Sequence, residues 1–312
     1  MTGGREAGIR RSGQRHEPRG GKMTRPAATL IGFAAIAMWS LLALFTAASG
    51  AVPPFQLSAL CFSIGAAIGF VWLAASGRWR DLKQPLPVWA LGISGLFGYH
   101  ALYFTALRNA PPVEAGLIAY LWPLLIVVFS ALLPGERLRW HHLAGAVLGL
   151  VGTVLIVGGG GGLAFESNYA GGYLAALGCA LAWSTYSVAS RRFAEVPSGI
   201  IAGFCLAAAV LSVPAHQAFE TTLWPQTAGQ WLAVAGLGLM PVGAAFYVWD
   251  IGVKRGDIQL LGVLSYGAPL LSTLVLIAAG YGVYSAKIGI AALLITAGAL
   301  LASRQMLRRR SA

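Results

Sequence analysis

From about residue 28 onward the chain alternates between apolar stretches of some twenty residues and short polar or Gly/Pro-rich breaks. At 1.5 Å per residue, about twenty helical residues cross a hydrocarbon core of roughly 30 Å, so each stretch predicts a membrane-spanning helix. Ten are legible, near 28–48, 55–76, 87–107, 113–133, 142–158, 171–190, 199–218, 228–250, 258–279 and 285–303. Barrel strands would alternate in polarity over about ten residues, whereas 143–157 and 258–279 are apolar on nearly every face. The expected fold is an all-α integral membrane protein.

The pattern repeats itself at offsets of 144 to 146 residues. Met38-Trp39-Ser40 matches Ala182-Trp183-Ser184, Tyr103 matches Trp249, and Arg108 and Asn109 match Lys254 and Arg255. Val113 matches Gln259, Tyr120 matches Tyr266, and Pro123 matches Pro269. Five helices per copy is an odd number, so the second copy must enter the bilayer from the opposite side. Such inverted repeats are typical of secondary transporters, which hold their substrate near the midplane. The expected organisation is a basic tail at 1–25, a first five-helix repeat at 26–158 and an external linker at 159–170. The inverted second repeat follows at 171–305, and a short basic tail at 306–312.

Composition removes the soluble alternative: 57% of residues are hydrophobic, 10% are charged and the mean hydropathy is +0.70. A net charge of +12 invites nucleic-acid binding, but its distribution argues against that. With the N-terminus inside, all of the 22 Lys and Arg except Arg108 and Lys287 fall on one side of the membrane. That is the positive-inside bias of a multi-pass inner-membrane protein with both termini in the cytoplasm. Anionic membrane lipid, rather than nucleic acid, is the expected partner of these charges.

The first 25 residues are Gly/Arg-rich with nothing to bury, and are expected to be disordered, with Met23 an alternative start. A signal peptide cleaved near Ala47-Ala48-Ser49 is discounted, because the preceding stretch is long enough to span and has a counterpart in the second repeat. Cys61, Cys179 and Cys205 lie inside apolar spans and imply neither disulfides nor a metal site.

Polar and aromatic residues at mid-depth are where chemistry is expected, since lipid cannot satisfy them. In the third span Tyr99, His100 and Tyr103 share about 100° of one face, preceded by Gly92, Gly95 and Gly98, which permit close packing or a vestibule. His100 admits three roles: a hydrogen bond to a neighbouring hydroxyl, substrate contact, or proton coupling. Tyr120, Trp122 and Pro123 occupy the middle of the fourth span, and Ser265, Tyr266 and Pro269 the equivalent part of the ninth. Each proline removes a backbone hydrogen bond and kinks its helix, freeing a carbonyl for a ligand ammonium or serving only as a bend. Tyr120 and Trp122 are about 200° apart on an ideal helix, so both face a cavity only if the kink distorts it. Trp39 and Trp183 are repeat mates near mid-depth, followed by Ser40 and by Ser184 and Ser187. Together Trp39, Tyr99, His100, Tyr103, Tyr120, Trp122, Trp183 and Ser265 could line a pocket with aromatic walls and a few polar groups for a zwitterionic head.

Acidic groups at mid-depth are wanting. Asp250 reads as a local ion pair with Lys254, and Glu114 as a solvated group at the outer mouth. Transport is therefore expected to run down the solute gradient, or to be coupled weakly through His100. Gly158–Gly162 lacks the Lys-Ser/Thr of a phosphate-binding loop and reads as an outer link, and His141-His142 has no third ligand, so neither cofactor nor metal is expected. Gly145, Gly149 and Gly152 in the fifth span, with Gly289 and Gly298 in the tenth, read as packing faces.

The motifs Trp39-Ser40, Gly98-Tyr99-His100-Ala101-Leu102-Tyr103, Ala119-Tyr120-Leu121-Trp122-Pro123, Ala182-Trp183-Ser184 and Ser265-Tyr266-Gly267-Ala268-Pro269 resemble the drug/metabolite transporter superfamily of the EamA type. Within it the chain looks like the bacterial aromatic amino acid exporters. The resemblance implies ten helices as five plus five inverted and export of neutral and aromatic amino acids by alternating access; a monomer is the expected working unit, although nothing in the sequence separates it from a dimer. Export of other metabolites or drugs is the competing expectation. An intramembrane enzyme or a receptor is disfavoured by the duplicated inverted halves, and no acid/base pair or nucleophile constellation lies at membrane depth.

Overall fold

In a computed structural model the described residues are 23–158, 166–280 and 284–308; among them the regular structure is helix alone. Ten long helices follow one another: α1 (Arg25–Ala48), α2 (Pro54–Ser76), α3 (Leu86–Asn109), α4 (Pro112–Leu132), α5 (Trp140–Val157), α6 (Ala170–Ser190), α7 (Ser198–Phe219), α8 (Ala228–Arg255), α9 (Ile258–Ala278) and α10 (Ala286–Arg304). Nine of these are long and apolar enough to cross a membrane. The tenth, α6, is diluted by Trp183-Ser184-Thr185-Tyr186-Ser187, of which all but Thr185 are buried. Residues 1–22 of the expected tail at 1–25, 159–165 of the expected linker at 159–170 and 309–312 of the expected tail at 306–312 lie outside the described residues.

The packing partners show the repeat. Helix α1 lies on α8 and α3 on α6, while α2 pairs with α7, α4 with α9 and α5 with α10. Exchanging each helix for its repeat mate converts α1–α8 into α6–α3 and leaves the other three pairs unchanged, as a pseudo-twofold axis requires. The mates also run antiparallel. Along α2 and α7, Phe55 meets Phe219 while Gly69 meets Ala202. In α4 and α9, the Leu124 N–H donates to Tyr266 Oη (3.1 Å) and Gln259 Nε2 donates to Ser130 Oγ (3.1 Å). In α5 and α10, Gly145 faces Gly298 and Gly152 faces Ala291 and Ile295. Antiparallel mates mean that the two five-helix copies are inverted.

Glycines set the closest approaches. A Cβ on Gly145 would stand 2.6 Å from the Gly298 carbonyl oxygen, and one on Gly32 of α1 2.9 Å from the Gly252 Cα of α8. Gly289 differs from the expectation: a Cβ there would meet the Tyr284 hydroxyl close in sequence, not α5.

Five of the ten helices are interrupted. Helix α1 breaks at Ser40–Leu41, α4 at Tyr120–Leu121 and α9 at Ser265–Tyr266. At these breaks the N–H of Leu41, Leu121 and Tyr266 reaches back three residues instead of four. Pro123 and Pro269, just beyond two of the breaks, cannot donate to the preceding turn, so the bends fall where the sequence placed them. Helices α3 and α8 each widen into a π turn at equivalent places, Ser94–Gly98 and Met240–Ala244. Helix α8 continues five residues beyond the expected end at 250, because Lys254 folds back onto Asp250 one turn earlier. Glu114 is buried rather than solvated, and Tyr173 Oη donates to its carboxylate. The three cysteines are free and buried, as expected of small hydrophobes.

Charged residues collect at the two ends of the bundle. At one end Arg25 pairs with Glu136 (3.1 Å) and Asp257 (3.4 Å), and Arg191 pairs with Glu136 (2.8 Å). Arg191 also donates to the Val253 and Gly256 carbonyls. This network ties α1, the α4–α5 loop, α6 and the α8–α9 turn; its side is termed the basic face below. At the other end Arg108 pairs with Glu220 (2.8 Å), whose carboxylate also accepts the first free N–H groups of α2, those of Phe55 and Gln56.

Candidate functional site

Four indoles meet at mid-depth. Trp39 of α1, Trp122 of α4, Trp183 of α6 and Trp249 of α8 are all mutual neighbours, with ring centroids 5.1 to 6.3 Å apart. Such separations suit edge-to-face and offset pairs, each worth on the order of 1 kcal/mol beyond burial. The interruptions make the cluster possible. The π turn of α8 presents the Pro241 carbonyl, which accepts the Trp39 Nε1–H at 3.1 Å. The break in α4 separates Trp122, buried within the cluster, from Tyr120, which remains half-buried at the bend and outside the ring contacts. Trp249 is fully buried and its Nε1–H donates to Ser187 Oγ (3.1 Å).

Tyr99 joins the cluster through Trp183 (5.7 Å) and stacks on Tyr103 (6.1 Å, 11° between planes). Trp249, Trp183 and Trp122 are buried, whereas Trp39 and, further from the basic face, Tyr99, Tyr103 and Tyr120 are half-buried. The glycines ahead of them divide in role. Gly92 packs on Phe204 and Gly95 on Tyr186, but a Cβ on Gly98 would meet nothing closer than Ser94 at 3.9 Å.

His100 points elsewhere than its two neighbours. Its ring stands edge-on to Phe62 (5.0 Å) and near Phe246 (6.4 Å), between α2 and α8. Nδ1 lies 2.7 Å from the Leu96 carbonyl in the π turn. A carbonyl can only accept, so Nδ1 carries the proton and Nε2 is left as the acceptor. Of the three roles open to this imidazole, the hydrogen bond to a neighbouring hydroxyl is replaced by one to a backbone carbonyl of its own helix.

Apart from Ser187, which accepts from Trp249, the serines are not in the ring cluster. Ser40, Ser184 and Ser265 each donate to a carbonyl three or four residues earlier, those of Ala37, Leu181 and Leu261. Within a bilayer these carbonyls are the nearest acceptors, so short hydroxyls are absorbed by their own helix. Ser265 in particular is fully buried and lines nothing open. Around the rings stand the hydroxyls of Tyr99, Tyr103 and Tyr186, with that of Tyr120 at the nearby bend of α4. Trp249 and Phe246 were not among the expected lining residues. The available signal was their place in the repeat, opposite Tyr103 and His100.

A model of the EamA-like transporter family matches residues 26–158 and again 170–304, once for each five-helix copy. The chain belongs to the EamA-like transporter family. It is similar to a protein named aromatic amino acid exporter YddG from Ancylobacter novellus, with 59% identity over 90% of this chain and 98% of the relative. A protein of the same name from Salmonella typhimurium is 28% identical over 80% of this chain and 88% of its own length. A solved crystal structure at 58% identity superposes with a TM-score of 0.86, covering 90% of this chain and 99% of the other. In this EamA-like transporter the indole cluster therefore lies where the two family units meet, with α1 and α4 from the first and α6 and α8 from the second. Among the described residues no group of three or more metal-ligating side chains occurs. The site offers rings and hydroxyls, the chemistry of reversible binding.

Proposed function

We propose that this protein exports neutral and aromatic amino acids by alternating access, as a facilitator working down the solute gradient. What supports this reading is the cluster of indole and tyrosine rings gathered at the junction of the two inverted units. Three of its indoles, Trp122, Trp183 and Trp249, are buried, whereas Trp39 and the three tyrosines are half-buried. Flat rings favour an aromatic or apolar side chain, while tyrosine hydroxyls and ring faces suit the ammonium and carboxylate of a zwitterion. The names of the two relatives agree with that substrate class.

The side assignment follows the charge: the face carrying Arg25, Arg191 and Arg255 is cytoplasmic. Closure there is ionic, since Arg25–Glu136 and Arg191–Glu136 join helices on both sides of the pocket. The conformation closed by these ion pairs is then the outward-facing state, and the pseudo-twofold exchange of the two units supplies the inward-facing one.

The test is efflux from proteoliposomes preloaded with radiolabelled phenylalanine, with and without an imposed proton gradient, competed by amino acids, sugars and cationic dyes. Aromatic amino acids should compete best, flux should persist without the gradient, and Tyr99→Ala and Trp183→Ala should each lower it at least tenfold at equal insertion. Flux that requires the gradient would remove the facilitator reading. Stronger competition by dyes, or wild-type flux in both variants, would remove the substrate and the pocket.

A further inference from the structure

On the basic side of the pocket the ends of α4 and α6 part and leave a lateral cavity of ≈ 240 Å³ lined by Phe129, Leu132, Thr185, Val188, Ala189 and Arg192. Its walls are apolar apart from one hydroxyl, and its foot is a guanidinium. Leu132 and Thr185 are exposed at its rim, on the surface that faces acyl chains. Arg192 donates to the Leu132 carbonyl (3.1 Å), which holds the guanidinium at the mouth while the residue stays exposed. Apolar walls ending in a fixed cation are the shape of a lipid seat, an acyl chain above and a headgroup below.

The charge of the surroundings selects the headgroup. Arg191 adjoins Arg192 at the end of α6, Arg137 and Arg139 lie in the α4–α5 loop, and Glu136 of that loop is already engaged by Arg25 and Arg191. Glu195 is a single exposed acid on the following turn. No carboxylate lines the cavity, so a choline or ethanolamine ammonium would find no partner there, whereas a phosphate with net negative charge would. We propose that this cavity binds one acidic phospholipid of the leaflet on the basic side, with its phosphate on Arg192 and an acyl chain against Phe129 and Val188. The two helices it separates carry Trp122 and Trp183, so the lipid sits beside the ring cluster without touching its indoles.

The test uses the full-length transporter in detergent, titrated with phosphatidylglycerol or phosphatidylcholine, with retained lipid counted by native mass spectrometry. One phosphatidylglycerol should be retained in preference to phosphatidylcholine. Arg192→Gln should weaken retention about fivefold, the value of one basic residue at a lipid surface. Ala189→Phe fills the cavity without changing charge and should abolish it. Arg80→Gln removes an exposed arginine outside the cavity lining and should leave it unchanged. The two changes at the cavity should leave the melting temperature within a few degrees of wild type. Equal retention of the two lipids, full retention in Ala189→Phe, or an equal loss in Arg80→Gln would each overturn the proposal.

Discussion

Helices α3 and α8 are repeat mates with the same backbone plan, a π turn followed by an eleven-residue helix, yet their side chains do opposite things. Beyond its π turn α3 sets out Tyr99, His100, Tyr103 and Phe104, all half-buried, and ends in Arg108, which reaches across to Glu220. At the same places α8 sets out Ala245, Phe246, Trp249 and Asp250, all buried, and ends in Lys254, which folds back onto Asp250 of its own helix (2.8 Å). One helix is an open wall tied outward, the other a sealed wall tied to itself. The repeat thus decides where the helices bend, while the divergence of side chains decides which wall a solute can touch.

The ionic side of this contrast gives the largest expected effect. Asp250 and Lys254 are both buried, and Ser198 Oγ donates to the carboxylate at 2.6 Å. Lys254→Met leaves that charge uncompensated and should destabilise the protein by about 3–5 kcal/mol, whereas adding Asp250→Leu should recover most of the loss. Thermal melts of the single and double variants measure this, and a single variant as stable as wild type would mean that the sealed wall does not depend on the pair. A smaller effect separates two glycines of α3. Gly95→Ala should cost about 1–3 kcal/mol, because a Cβ there runs into the Tyr186 ring. Gly98→Ala should lie within about 0.5 kcal/mol of wild type, since the space beside it is open. Equal melts would erase the distinction between the packed and open parts of the helix.

Much of this was legible in the sequence because its signals are collective. Twenty-residue apolar stretches, an offset shared by several residue pairs and one-sided arginines each average over many positions, so the ten helices and their inversion survive local error. Three indoles of the cluster, Trp39, Trp122 and Trp183, were also visible, since tryptophan far from a span's ends needs a packing or binding reason. What failed were statements about single side chains. Ser265 looked like a polar group in a pocket, but its rotamer returns the hydroxyl to Leu261. Glu114 looked solvated until Tyr173 from another helix covered it. Trp249 was hidden by its position near Asp250 and Lys254, which drew its helix towards an ionic interpretation. Rotamers and contacts between helices distant in sequence are set by the packed bundle, and no single stretch encodes them.

Sidedness of labelling tests most directly whether the two copies face opposite ways across the membrane. Arg108 and Arg255 are exposed at the ends of α3 and α8, and the native cysteines are buried, so Arg108→Cys and Arg255→Cys can be probed with a membrane-impermeant maleimide. In intact spheroplasts Arg108→Cys should react and Arg255→Cys should not, with the order reversed in inside-out vesicles. Reaction of both from the same side would contradict the inverted architecture and the transport reading built upon it.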